Sequence, residues 1–173
     1  MHIHDFKSTS ITLVKSEVDF DRLKLLLLEF ATSIDFDLCY QSFLRELSSI
    51  TELYSAPKGV AFILTQNNNT IGCVGIMEIK PGVAVVKRLY LRSDYRRPHF
   101  GKKLLKVAIE WSRQKSMKKI QIDPDDIHQG ISKLCIDAGF AEISNPNELT
   151  AKRHKSFELK LNSSAEFVGM MAS

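Results

Sequence analysis

The sequence predicts a mixed α/β (α+β) domain with a central, mostly antiparallel sheet flanked by helices. Three observations predict it. Apolar residues recur every three or four positions from about residue 19 to 54, the period changes to that of strands from 60 to 91, and a strand–helix–strand passage follows up to residue 122. At 173 residues, 44% hydrophobic and 25% charged, the chain has the size and balance of one soluble domain, with little room for a second. The organisation expected is an N-terminal extension over 1–9, a domain over 10–161, and a small, polar, mobile tail over 162–173 that opens at Asn162-Ser163-Ser164.

In chain order, Ile11 to Val14 is expected as a first strand. Asp19 or Asp21 then starts a helix carrying Leu23, Leu26, Leu27 and Phe30 on one face. Tyr40, Phe43, Leu44, Leu47 and Ile50 repeat that spacing, so a second amphipathic helix runs to the break at Tyr54-Ser55-Ala56-Pro57. Strands over 60–65, 71–79 and 83–91, separated by Asn67-Asn68-Asn69 and Pro81-Gly82, form an antiparallel meander. Leu104, Leu105, Ala108 and Ile109 mark a helix beginning near Gly101, and Lys119 to Ile122 a strand returning beside it. Ile131, Leu134, Cys135 and Ala138 mark a further helix, stopped by Gly139 before Phe140 starts a strand. Ser156 to Leu161 is the last strand.

The longest apolar run, Leu25 to Leu28, falls far short of the roughly 20 residues of a membrane span, and the polar start does not resemble a secretory signal. A cytoplasmic protein with no membrane partner is expected. Cys39, Cys73 and Cys135 lack the paired spacing of zinc sites or disulfide frameworks and read as reduced thiols. Asp123, Asp125 and Asp126 beside His128 read as helix-capping acids in a turn, with no metal expected. The net charge of +4 is modest, but between Lys87 and Lys106 eight Lys or Arg residues face the single acid Asp94. With no helix-turn-helix, zinc finger or stacking motif beside it, this cluster points to a small anionic ligand and not to nucleic acid.

The segment 83–106 delivers a strand through a charged loop into a helix. A helix's first amide hydrogens have no partner inside the helix, and its macrodipole adds positive charge there. A glycine such as Gly101 would let a phosphate approach the backbone, with Arg96, Arg97 and Lys102 adding charge.

These residues carry a resemblance. Lys87-Arg88-Leu89-Tyr90-Leu91, then Tyr95-Arg96, then Gly101-Lys102-Lys103-Leu104-Leu105 resembles the acetyl-CoA-binding motif of the GNAT superfamily of N-acetyltransferases. Leu134-Cys135-Ile136-Asp137-Ala138-Gly139-Phe140 is similar to the family's later helix, and the likeness extends over roughly residues 10–161. The resemblance implies direct attack of an amine on the thioester of acetyl-CoA, with no covalent acyl-enzyme and no metal. It implies cofactor contacts at Leu89, Tyr90 and Leu91, through their backbone, and along the loop and helix start at Arg96, Arg97, Pro98, His99, Phe100, Gly101 and Lys102. Homodimers are common in the family.

The chain departs from the family pattern at several positions. His99 replaces the usual middle glycine and Pro98 removes an amide. Val85 stands where an acid is frequent, and Cys135 where a tyrosine protonates the leaving thiolate. Substitute candidates for the base are Glu78 and His128; Cys135 is either a weak proton donor or a buried structural thiol. The departures motivate an alternative reading, an acyl-CoA-binding sensor or interaction module without efficient turnover. The acceptor is expected between the helices over 23–50 and the loop from 145 to 154. There Asp35, Asp37 and Glu46 favour a cation, while Arg45, Lys152 and Arg153 favour an acid.

Overall fold

The computed structural model describes residues 8–33, 40–126, 129–143 and 156–161. Most of the expected N-terminal extension, the tail after residue 161, the loop from 145 to 154, Cys39, Asp35, Asp37 and His128 lie outside them.

Strand β1 (Thr9–Leu13) leads into helix α1 (Glu17–Ser33), which begins where Asp19 accepts from the amides of Lys15 and Ser16 while Ser16 accepts from the amide of Asp19. This reciprocal arrangement satisfies donors that a helix start leaves open. The second helical stretch is two pieces, α2 (Tyr40–Ser48) and the short α3 (Ile50–Leu53). The meander follows as β2 (Gly59–Gln66), β3 (Asn69–Lys80) and β4 (Val83–Leu91). Asn67 and Asn68 both adopt left-handed φ values, 48° and 64°, as a two-residue hairpin turn requires and asparagine tolerates.

Helix α4 runs Pro98–Gln114, three residues earlier than its apolar stripe suggests. Proline belongs at that first position, because the amide it lacks would have had no helical partner and its φ is already helical. The remaining elements are β5 (Lys119–Ile122), α5 (Gln129–Asp137), β6 (Ala141–Ile143) and β7 (Ser156–Lys160).

The seven strands form one sheet in the order β1-β2-β3-β4-β5-β7-β6, antiparallel except for β4 and β5. Two apolar layers cover its faces. On one, Phe20, Leu23, Leu26, Leu27 and Phe30 of α1 join Phe43, Ile50 and Tyr54 over Ala61, Ile63, Cys73 and Tyr90. On the other, Leu104, Leu105, Ala108 and Ile109 of α4 join Ile131 and Cys135 of α5 over Val60, Leu64, Ile76, Ala84, Val86 and Leu89. The alternation of β2 residues between the layers follows from the two-residue period of a strand. Among the described residues no helix is long and apolar enough to cross a membrane.

One glycine sets how closely the first layer packs. A Cβ on Gly75 would fall well inside contact distance of the Tyr54 ring, which is almost completely buried on top of it. Gly75→Ala is therefore expected to push Tyr54 off the sheet and lower stability by about 1–3 kcal/mol, read as an earlier midpoint in denaturant unfolding.

Candidate active site

The site is organised by a break in the regularity of β4. Ala84 and Val86 point to the α4 face, and a regular strand would continue that face at Arg88 and Tyr90. It resumes instead at Leu89 and Leu91, while Arg88 and Tyr90 turn to the α1 face. Arg88 is the extra residue: its φ is +55°, and the β3–β4 register slips between Cys73 and Gly75. This is a β-bulge, which bends its strand and interrupts the ladder.

Beyond the bulge β4 stays paired with β3 but, among the described residues, has no strand on its β5 side. The parallel pairing with β5 covers only Val83 to Val86, and β5 ends at Ile122, whereas β4 continues to Leu91. The Asp123 amide closes the ladder on the Val86 carbonyl at 2.9 Å. Arg92 donates its amide to Ile71 on the β3 side. Backbone donors alternate along a strand, so Tyr90 also donates toward β3, and Leu89 and Leu91 present theirs toward the gap left by β5. The resemblance implied backbone contacts at Leu89, Tyr90 and Leu91; by the alternation, the amides of Leu89 and Leu91 are the two on the β5 side.

The bulge is held by a buried charged cluster. The Arg88 guanidinium donates through Nε and Nη2 to both oxygens of Glu46, at 3.0 and 2.5 Å, and through Nη1 to Asp126 at 3.0 Å. The other oxygen of Asp126 accepts the Arg88 amide at 2.6 Å, and Glu46 also accepts the Tyr54 hydroxyl at 2.5 Å. The rings of Phe30 and Phe43 lie 5.4 and 5.8 Å from the guanidinium carbon. Next to it, Lys87 pairs with Asp123 at 2.9 Å. Asp126 thus serves β4, a role that the turn did not suggest.

Burial and partners act on these acids in opposite ways. Burial tends to raise the Glu46 carboxyl, but the hydrogen bonds and charge of Arg88, with Tyr54, prevail and hold it below the usual carboxylate range. Burial prevails at Asp126 and pushes it up to about 6 against the pull of Arg88. Both are ionised at neutral pH, and Arg88 stays protonated.

The basic cluster seen in the sequence resolves into two groups. Lys87 and Arg88 point inward as described, Arg92 makes a forked pair with Glu29 of α1 at 2.9 and 2.7 Å, and Arg96 donates to the Leu91 carbonyl at 3.1 Å. These shape the strand end and the loop, which turns through a single 3₁₀ turn over Ser93–Tyr95. Arg97, Lys102 and Lys106 are exposed and make no ion pair among the described residues; Lys103 lies over the Phe100 ring. They surround the start of α4, where Pro98 lies at the first position and His99 is exposed against Phe100.

Gly101 has a packing role that the sequence did not show. It is buried, and a Cβ there would meet Leu134 of α5 at 3.1 Å and Leu91 at 3.9 Å. The missing side chain lets α4 pack on α5; it does not open the backbone to solvent. Of the candidate catalytic groups, Glu78 accepts the Gly82 amide at 3.0 Å across the β3–β4 turn. It lies five residues from Cys73, the partner of Tyr90, and so roughly 17 Å along the strand from the open segment. Cys135 is completely buried in the α4–α5 layer, where loss of solvent pushes its thiol up to about 12. Its surroundings match the structural-thiol reading.

The Arg88 cluster was not foreseen as a unit, although one signal was present. Arg88 occupies the apolar phase set by Ala84 and Val86, and the apolar alternation restarts one residue late at Leu89. A phase slip with a charged residue in the gap is what a bulge looks like in sequence.

Two outcomes test the cluster. Arg88→Ala leaves Glu46 and Asp126 buried without their cation, and is expected to cost about 3–5 kcal/mol in denaturant unfolding, with Arg88→Lys intermediate because an ammonium lacks the fork. The pH dependence has a definite sign. Since the Asp126 carboxyl is higher in the folded chain than in the unfolded one, the folded chain binds more protons between about pH 4 and 6, and this group's contribution falls as pH rises through that window. The stability of the wild type relative to Asp126→Asn should fall from pH 4 to pH 6; a constant difference would contradict the assignment.

Comparison with known proteins agrees with this architecture. The acetyltransferase (GNAT) family profile matches residues 25–130. An uncharacterised N-acetyltransferase of Schizosaccharomyces pombe is 30% identical over 133 residues, covering 76% of this chain and 82% of the relative. Among solved structures, a GNAT-family acetyltransferase from Staphylococcus aureus Mu50 superposes with a TM-score of 0.69 at 18% identity, covering 90% of this chain and all of the other. The PaiA N-acetyltransferase of Thermoplasma acidophilum, solved in complex with coenzyme A, superposes with a TM-score of 0.66 at 18% identity, covering 89% and 99%.

Proposed function

The chain belongs to the acetyltransferase (GNAT) family, and on that premise we propose that it moves an acetyl group from acetyl-CoA to a primary amine of a small molecule or protein by direct attack. The observation that carries the proposal is the open edge of β4 running into the exposed cations at the start of α4. In this reading the amides of Leu89 and Leu91 bind the pantetheine arm as a strand would, and also align the thioester carbonyl. Arg97 and Lys102, with the first turn of α4, take the pyrophosphate. Arg96 fixes the loop by its bond to Leu91, and Pro98 is neutral for binding, since a helix's first position has no hydrogen-bonding duty to lose.

The transfer balances simply. A bond forms between the amine nitrogen and the acyl carbon, the carbon–sulfur bond breaks, the nitrogen gives up a proton, and the departing thiolate takes one up. Positioning and charge stabilisation by backbone donors are what the protein supplies. With Cys135 buried and Glu78 held in a turn, neither serves as a proton carrier in this reading.

Those same two placements favour a second reading, an acyl-CoA-binding module without efficient turnover. Thiol release from acetyl-CoA with any amine excludes it.

The donor site is tested by calorimetric titration with acetyl-CoA. Binding is expected in the micromolar range, and Arg97→Glu combined with Lys102→Glu should weaken it by about 10- to 100-fold, while the unfolding midpoint stays unchanged because both residues are exposed. Unaltered affinity would remove these residues from the site. Gly101 is a poor choice for this test, since its substitution disturbs the α4–α5 contact whatever it does to binding.

A further inference from the structure

A cleft of about 420 Å³ reaches β4 at Lys87, the residue before the bulge. One wall is a face of α2 and the residue that follows it: Ser42, Arg45 and Glu46 lie at the spacing that places residues on one side of a helix, and Ser49 stands between α2 and α3. The opposite wall includes Lys87, the residue immediately before Arg88, and Met77 of β3. The acid side of this cleft is already committed. Glu46 has both oxygens on Arg88 and one on Tyr54, and Glu52 at the rim pairs with Lys58. A cationic ligand drawn to Glu46 would have to compete with a buried forked ion pair, which is costly to break.

The donors are the reverse. The guanidinium of Arg45 has no carboxylate or other partner among the described residues, and the Ser49 hydroxyl makes no capping bond although it stands before α3. Lys87 lines the same space and pairs with Asp123. An exposed guanidinium with no partner among the described residues, flanked one turn away on each side by hydroxyls, can receive a planar or tetrahedral anion.

We propose that this cleft is the acceptor site and that it takes a small primary amine carrying an anionic group, carboxylate or phosphate, which Arg45 binds while the amine reaches the bulge beside Lys87. The proposal rests on the acetyltransferase reading, which puts the thioester along Leu89–Leu91 on the far side of the same bulge. Of the charges weighed in the sequence, it relies on Arg45 rather than Glu46; Asp35, Asp37, Lys152 and Arg153 lie outside the described residues.

The test uses matched sets of amines: ω-amino acids of three to six carbons, their amides, the diamines of the same lengths, and phosphoethanolamine as the phosphate arm. Each is assayed by thiol release with acetyl-CoA, and each is titrated calorimetrically into protein saturated with CoA, for wild type and Arg45→Gln. The anionic amines are expected to exceed the amides and diamines by about tenfold or more, in kcat/KM or in affinity, and Arg45→Gln should remove that preference without weakening the diamines. The better of the carboxylate and phosphate arms identifies the anion. Preference for diamines, no binding of any anionic amine to the CoA-loaded protein, or a preference that survives Arg45→Gln overturns the proposal. Failure of the enzyme reading looks different: acetyl-CoA binds but no amine releases thiol, and the preference is then decided by the titrations alone.

Discussion

The feature on which the rest of the structure depends is a charged residue set into the apolar phase of a central strand. Arg88 cannot face the α4 layer, where Ala84, Val86 and Leu89 are packed against aliphatic side chains, without an uncompensated buried charge. The strand accommodates it by a bulge, which turns the guanidinium to the other face and restores the apolar alternation one residue later. That solution makes demands elsewhere. Helix α2 has to supply Glu46, the turn after β5 has to supply Asp126, and Gly75 has to leave room for the Tyr54 ring whose hydroxyl completes the shell of Glu46. A buried cluster of this kind contributes little net stability, because desolvation offsets much of the attraction. Its effect is geometric: Asp126 binds the Arg88 amide that a continuing β5 would otherwise occupy, so β4 and β5 part at a defined place.

The division of the basic segment follows from that geometry. Cations at the strand end and in the loop are consumed by Glu29, Glu46, Asp123, Asp126 and the Leu91 carbonyl, and they hold shape. Those on the first turns of α4 stay in solvent, where charge is useful to a diffusing anionic ligand. Departures from the family motif read differently in this light. Pro98 sits where proline costs nothing, and Cys135 fills a core position.

Much of the fold was legible because it depends on periodicity. The meander over β2, β3 and β4, the amphipathic faces of α1, α4 and α5, and the asparagine turn all carry local signals that burial on one face imposes on a chain. The start of α4 was displaced in the sequence reading because its first turn, Pro98-His99-Phe100, precedes the apolar stripe and is fixed by proline instead. The division of the second helix at Ser49 gave no local signal at all.

The sequence by itself determined the elements, their apolar faces and the family motif at the end of β4, all of which are written within windows of a few residues. Only the tertiary structure decided which charges are spent and which are free. Arg88 meets Asp126 38 residues later and Glu46 42 residues earlier, and Arg92 meets Glu29 at a separation of 63. Ion pairs of that range have no periodic signature, since a strand bulge and a helix docked across the sheet bring them together only after the chain has packed. That is why Arg45 and Glu46, adjacent in sequence, end in different surroundings: Glu46 is paired with Arg88 beneath the surface, whereas the Arg45 side chain is exposed.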